Sequence, residues 1–436
     1  MRPSPRFPPE TRRQANSDKP ILLLRTSPSS DLALLLNIFI ILSVITTGLL
    51  LLAPRLSKSQ VWRATVTPLA SIIGSGFLVL APILVSDYGY IAPAIMAGLC
   101  LGAYLFGSAI RFNILHRNVR EPVQNDGIDR LELAASWALV FAFTISVGYY
   151  LNLFGAFGVS LTSFDSPANA KLLTSAIYIL ILIVGWTRGF KALERMEYGA
   201  VTLKLAIIVG LLVGLTWYFY QKATAATLFV HPPLLSGWPA LTLAFGLIIT
   251  VQGFETSRYL GHDYDAATRI KSMRLAQIVS AVIYMIYIGL FAYSFEREQF
   301  ALTETAIIDM MGIITPILPL LLVAAALAAQ FSAAIADTSG SGGLIEELTK
   351  GHVKARTGYA ILVGIGLLMT WSVNIFQIIA YASRAFALYY TLQSVIAARR
   401  AFLIPGNRLK GVGFILLAML GVMIVLFGND VESSNG

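Results

Sequence analysis

Twelve apolar stretches, most of them about as long as a bilayer is thick, constrain the fold of this 436-residue chain more than any other feature. A spanning helix needs roughly 20 apolar residues. The stretches fall at about 32–53, 66–85, 91–110, 132–158, 172–187, 197–220, 237–257, 273–295, 312–337, 357–373, 375–398 and 410–428. They are numbered segments 0 to 11. Backbone polar groups must be paired inside a bilayer, so such stretches become helices; a barrel would show short alternating strands. Composition agrees, with 56% of residues hydrophobic and 13% charged, against about 25% charged in a typical soluble domain. A soluble enzyme, a DNA-binding module and a disordered chain are excluded, leaving an all-α polytopic membrane protein of about 12 transmembrane helices. The single cysteine, Cys100, offers no intrachain disulfide, and the four scattered His show no metal-ligand spacing.

The net charge of +9 sorts by position. Loops after segments 2, 4, 6, 8 and 10 hold eighteen Lys and Arg, among them Arg111, Arg258, Arg274, Arg400 and Lys410. The alternate loops and the C-terminal tail hold three, Lys171, Lys222 and Arg297. Cytoplasmic loops collect positive charge, so segment 1 starts in the cytoplasm and segment 11 ends outside. Residues 1–30 read as a disordered basic tail rather than a signal peptide. One feature pulls the other way: the link between segments 0 and 1 carries Arg55, Lys58 and Arg63. Either segment 0 spans, placing the basic tail outside, or it lies in the interface or re-enters. The later loops favour spanning.

Segment 1 is interrupted by Ile73-Gly74-Ser75-Gly76-Phe77, with Pro82 beyond. Glycine pairs weaken a helix and allow close approach, although small residues also serve plain helix packing. Segment 6 carries Gln252-Gly253-Phe254-Glu255, a glycine beside an intramembrane carboxylate. Such carboxylates are costly and usually functional; alternatively Glu255 sits at the membrane edge and meets Arg258. Segments 1 and 6 each open a block of five, and five is odd, so the second block enters from the opposite face. Broken first helices in two inverted halves point to a transporter with its solute between them.

The stretch Ser71–Pro82, the QGFE run at 252–255, and Arg188-Gly189-Phe190-Lys191 leading to Thr202–Leu205 together resemble the amino acid–polyamine–organocation (APC) superfamily. The resemblance covers residues 66–400. It implies a ten-helix core with a LeuT-type 5+5 inverted repeat; in this chain an extra helix at 31–54 precedes the core and another at 409–428 follows it. By that resemblance Gly74, Ser75 and Gly76 offer backbone groups to a substrate carboxylate. Gly253, Phe254 and Glu255 face its amino end, with Phe254 as a gate. Two departures mark a divergent member. The loop Gly261–Thr268 lacks the proline usual after the sixth helix, and the extra helices are divided between the two ends.

Two cations lie inside apolar segments, Lys204 in segment 5 and Arg384 in segment 10. A buried lysine can exchange protons, whereas one near a helix end snorkels to the surface. The resemblance implies that Lys204 approaches the break in segment 1 and replaces a bound sodium. Segment 8 ends in Ser332, Asp337, Thr338 and Ser339; these keep a cation site open, or they serve packing, with Asp337 at the interface. Arg384 must face the bundle and pair with a carboxylate, a carbonyl or a substrate anion, Glu255 and Asp337 being two such partners. In segment 3, Ser146, Tyr149, Tyr150 and Asn152 either line the interior or anchor the interface.

The expected protein is a secondary active permease of the plasma or inner membrane, multi-pass, for amino acids or related small organic ions. Coupling to protons, or exchange, is expected ahead of sodium, with no cofactor and no nucleic acid partner. Two other classes stay open: an inorganic-ion transporter of the same fold, and a non-transporting sensor or assembly subunit. No nucleophile elbow, phosphate loop or metal cluster suggests an enzyme.

Overall fold

The computed structural model describes residues 30–74, 76–116, 126–187, 191–260, 264–297 and 303–430, and the secondary structure of these residues is helical throughout. The basic tail and Ser75 lie outside the described residues. Segment 0 is α1 (Ser30–Leu52), followed by a short turn α2 (Pro54–Ser57). Segment 1 is split into α3 (Gln60–Ile72) and α4 (Gly76–Tyr88). Segments 2 to 5 are α5 (Ala92–His116), α6 (Asp126–Val159), α7 (Pro167–Thr187) and α8 (Lys191–Thr224). Segment 6 is α9 (Gly237–Gly246) and two short 3-10 turns, Ile248–Val251 and Phe254–Arg258. Segment 7 is α10 (Ala266–Ser294), started by Asp265, whose carboxylate accepts the Thr268 N–H at 2.8 Å. A short, mostly buried helix α11 (Ala306–Ile314) precedes α12 (Ile317–Leu348), α13 (Ala355–Ser372), α14 (Ile375–Leu403) and α15 (Arg408–Phe427).

Eight stretches are long and apolar enough to cross a membrane, against the twelve expected. The shortfall has two physical sources. Segments 1 and 6 are broken into pieces too short to cross alone. In α13 and α14, polar residues such as Arg356, Gln377, Arg384 and Gln393 lower the mean hydropathy.

Several helices run past the apolar stretch that announced them, because the i to i+4 hydrogen-bond ladder does not require apolar side chains. The largest extension is in α12, expected to end at 337 and continuing to Leu348. Asp337 is therefore inside a helix and buried, not at the interface.

The core helices pair in a repeated pattern. α5 packs on α10, α6 on α12 and α7 on α13, while α8 lies against α12 as α14 lies against α6. Outside this core, α1 lies antiparallel along α8. A Cβ added at Gly48 would touch Ala206, one at Gly210 would meet Val44 and Ile40, and one at Gly214 would meet Ile40. Small residues let the two backbones approach closely. Each end of α1 is pinned. The Thr315 hydroxyl donates to Asn37 Oδ1, and the Tyr198 hydroxyl donates to the Leu51 carbonyl at 3.1 Å.

Candidate functional site

The two breaks meet each other. A Cβ on Gly76 would lie 2.7 Å from Thr250 Cα, and a Cβ on Gly253 would lie 2.6 Å from the Ile72 nitrogen and the Ser71 carbonyl carbon. Each break thus seats its glycine on the backbone of the other. Gly253 also has φ +116°, a conformation that favours glycine. Gly74 is tight against its own helix, with 3.0 Å from a built Cβ to the Ser71 oxygen.

Broken helices free backbone groups that must be paired when buried. Three side chains from other helices do this. The Tyr284 hydroxyl on α10 lies 3.0 Å from the Ile72 oxygen and 2.7 Å from the Thr250 oxygen, sharing its one hydrogen between the two breaks. Ser383 on α14 donates to the Gly246 oxygen at 2.6 Å and accepts the Ile249 N–H at 3.1 Å. Lys204 on α8 is 1% exposed, and its ammonium donates to the Ala70 oxygen at 2.5 Å. It points inward to the last turn of α3 rather than snorkelling to a surface.

Glu255 is fully buried, and the carboxylate that pairs with Arg258 among the described residues is that of Glu132 instead. Its Oε2 accepts the Gly253 N–H at 3.0 Å and the Tyr390 hydroxyl at 2.9 Å, while Oε1 has no hydrogen-bond partner among the described residues. Gln252 donates to the Tyr150 hydroxyl at 2.7 Å, and its own Oε1 is likewise unpaired. Beside Gly253, two buried acceptors therefore face no donor. Leaving such a group unmet costs about 1–3 kcal/mol, which a donor on a ligand would offset.

Aromatic rings enclose these groups. Phe254 stacks on Tyr390 with centroids 5.1 Å apart, and Tyr390 stacks on Phe106 at 5.2 Å. Phe77 stacks on Tyr287 at 4.2 Å. Ile73 is buried at the break. Tyr149 and Tyr150 are buried too, so they line the interior and do not anchor an interface. Asp337 accepts a hydrogen bond from Ser146 across the α6–α12 contact. Ser332 spends its hydrogen on the Ala329 oxygen of its own helix at 3.0 Å, and Thr338 does the same on Ala334 at 2.6 Å.

Arg384 does not join this group. Its Nε and a terminal nitrogen both donate to the Gly428 oxygen, at 2.8 and 2.5 Å. Of the partners considered from sequence, it takes a carbonyl, that of the residue just past α15. The neighbouring Asn429 N–H bonds the Thr242 oxygen at 3.0 Å, so Arg384 helps hold the end of α15 against α9.

Sequence reasoning missed Tyr284, Tyr390 and Ser383, which look like ordinary interior or interfacial residues until the breaks are placed beside them. It also counted Arg258 and Arg400 as plain cytoplasmic loop charge. Both are buried, and the carboxylate of Glu132 on α6 pairs with Arg258 and lies 3.4 Å from Arg400. Arg258 also donates to Gln393, to which the Asn113 amide donates at 2.9 Å.

Helices of membrane length, two of them broken where they meet and enclosing a buried lysine and buried carboxylates, define a polytopic membrane protein with an internal polar site. Residues 54–428 match a family described as APC superfamily transporter. A protein of Aquifex aeolicus (strain VF5), named only as an uncharacterized protein, is 41% identical over 393 residues, which cover 88% of this chain and 95% of the relative. The chain belongs to the APC superfamily of transporters.

Proposed function

We propose that this transporter is a secondary active permease for amino acids or related small organic ions, working by alternating access around the two breaks. The observation that carries the reading is the pair of unmet acceptors, Glu255 Oε1 and Gln252 Oε1, beside the crossing of the broken helices. Acceptors without donors fit the ammonium of a solute. The N-terminal turn of α4, from Gly76, presents free N–H groups and the positive end of a helix dipole, which suit its carboxylate. Phe254 closes over the solute. The helix pairing described above supports an inverted repeat of segments 1–5 and 6–10, because each of segments 2, 3 and 4 packs on its expected counterpart. Its antiparallel run along α8 supports α1 as a further spanning helix, with the basic tail outside.

Coupling follows from the buried charges. Lys204 occupies the Ala70 oxygen, where a metal cation would otherwise find a ligand. This favours protons or exchange over sodium, with Lys204 and Glu255 as the titrating groups, and Asp337 and Ser332 as the polar residues on α12 nearest in kind to a cation site. On the cytoplasmic side, Glu132 clamps Arg258 at the inner end of segment 6 and must release it before the site opens inward.

The test is uptake into proteoliposomes with a panel of amino acids, organic cations and inorganic ions, with and without a pH gradient. Expected are uptake of an amino acid or organic ion that a pH gradient drives, loss of uptake in E255Q, and loss of pH dependence in K204A. Flux of inorganic ions alone, or no flux of any solute, would overturn the reading.

A further inference from the structure

A second site lies on the outside of the helix bundle, away from the breaks. A groove of about 760 Å³ runs between α5, α10 and α15. Its walls include Leu105, Leu115, Ile270, Phe414 and Leu417, and its cations are Arg111, Arg274 and Lys410. No acidic residue lines it among the described residues. All three cations fall on the side that the charge distribution assigns to the cytoplasm, Lys410 in the first turn of α15, Arg274 in the third turn of α10 and Arg111 in the last turns of α5.

The cation site is built rather than incidental. Arg111 is 6% exposed, and its guanidinium lies 4.6 Å over the Tyr104 ring while donating to the Tyr104 oxygen at 3.2 Å. It also donates to Gln277 of α10, whose amide nitrogen in turn donates to the Ala103 oxygen at 2.8 Å. Gly107 makes room for this: a Cβ there would sit 2.5 Å from the Gln277 amide and 2.9 Å from the Arg111 guanidinium. Every partner of Arg111 named here is neutral, so its charge is oriented but not neutralised by them. Arg274 and Lys410 stand exposed on the groove wall.

We propose that this groove binds an anionic phospholipid of the cytoplasmic leaflet, its phosphate held by Arg111, Arg274 and Lys410 and its acyl chain laid along the apolar walls. Charge complementarity selects the headgroup, and basic pockets between membrane helices on this face are suited to it. The occupant joins the α5–α10 pair, which packs on both breaks, to the extra helix α15. It thereby ties the peripheral helix to the elements that rearrange in transport.

Native mass spectrometry of the full chain, with phosphatidylglycerol or phosphatidylcholine added at equal amounts, tests this. Retention of phosphatidylglycerol over phosphatidylcholine is expected, and R274Q/K410Q should reduce that preference about 25-fold, at roughly fivefold per surface cation. The control K354Q/R356Q removes two exposed cytoplasmic charges outside the groove and should leave the preference unchanged. Equal retention of both lipids by the wild type, or equal losses in the two double variants, would overturn the proposal. So would displacement of the lipid by inorganic phosphate alone, since that would make the site one for free phosphate.

Discussion

Tyr284 shows how much one side chain contributes at the crossing. Its hydroxyl is the group that reaches carbonyls of both breaks at once. Y284F keeps the ring and removes the hydroxyl, stranding two buried acceptors. The expected cost is about 1–3 kcal/mol, read as a lower melting temperature in detergent and a lower uptake rate. A variant with both unchanged would mean that water or backbone rearrangement replaces the bond. Glu255 and Lys204 were legible in the sequence because charge is rare within apolar segments. Their partners were not, since Tyr390 and Ala70 lie 135 and 134 residues away. Arg384 was equally conspicuous for the same reason. Its pairing with a backbone carbonyl beyond α15 depends on how the last helix folds back, which no local pattern encodes.

At the scale of the element, the glycines in segments 1 and 6 marked the breaks correctly, and the structure adds why glycine is needed. Gly76 and Gly253 are places where one backbone rests on another, so a single methyl group is enough to disturb them. Gly76→Ala and Gly253→Ala are expected to abolish or strongly reduce uptake while the protein still reaches the membrane, as judged by membrane-fraction blots and size-exclusion profiles. Gly253→Ala adds backbone strain of order 1–3 kcal/mol for its left-handed φ. Gly289→Ala, in open space on α10, is the matched control and should transport normally. Wild-type uptake in both break variants would show that the crossing tolerates separation. The ends of the helices were less legible than the breaks. Hydropathy ends where polar residues begin, whereas the hydrogen-bond ladder of α12 carries on through Asp337 to Leu348.

At the scale of the molecule, one polar cluster ties α6 to segment 6 and to α14 through Glu132, Arg258, Gln393 and Arg400. E132Q removes the charge that holds both arginines. The Glu132 side chain is 21% exposed, so its loss costs less than the about 3–5 kcal/mol of a fully buried pair, and the end of the bundle it clamps should open more readily. Cysteine reporters at the N-terminal end of α6 should react faster with a soluble maleimide in E132Q than in the wild type. An unchanged labelling rate would show that the clamp does not hold the closed state. Membrane class, the two breaks and the unusual intramembrane charges were all readable from the chain, because the bilayer imposes length and apolarity on local sequence. Which residues meet was decided by packing between segments far apart in the chain. Gly76 and Gly253 each seat on the backbone of the opposite break, the Tyr284 hydroxyl caps freed carbonyls, and Arg258 and Arg400 turn inward to the Glu132 carboxylate on another helix. These contacts arise only when every segment is in place, since each depends on burial and distance that a linear pattern does not carry.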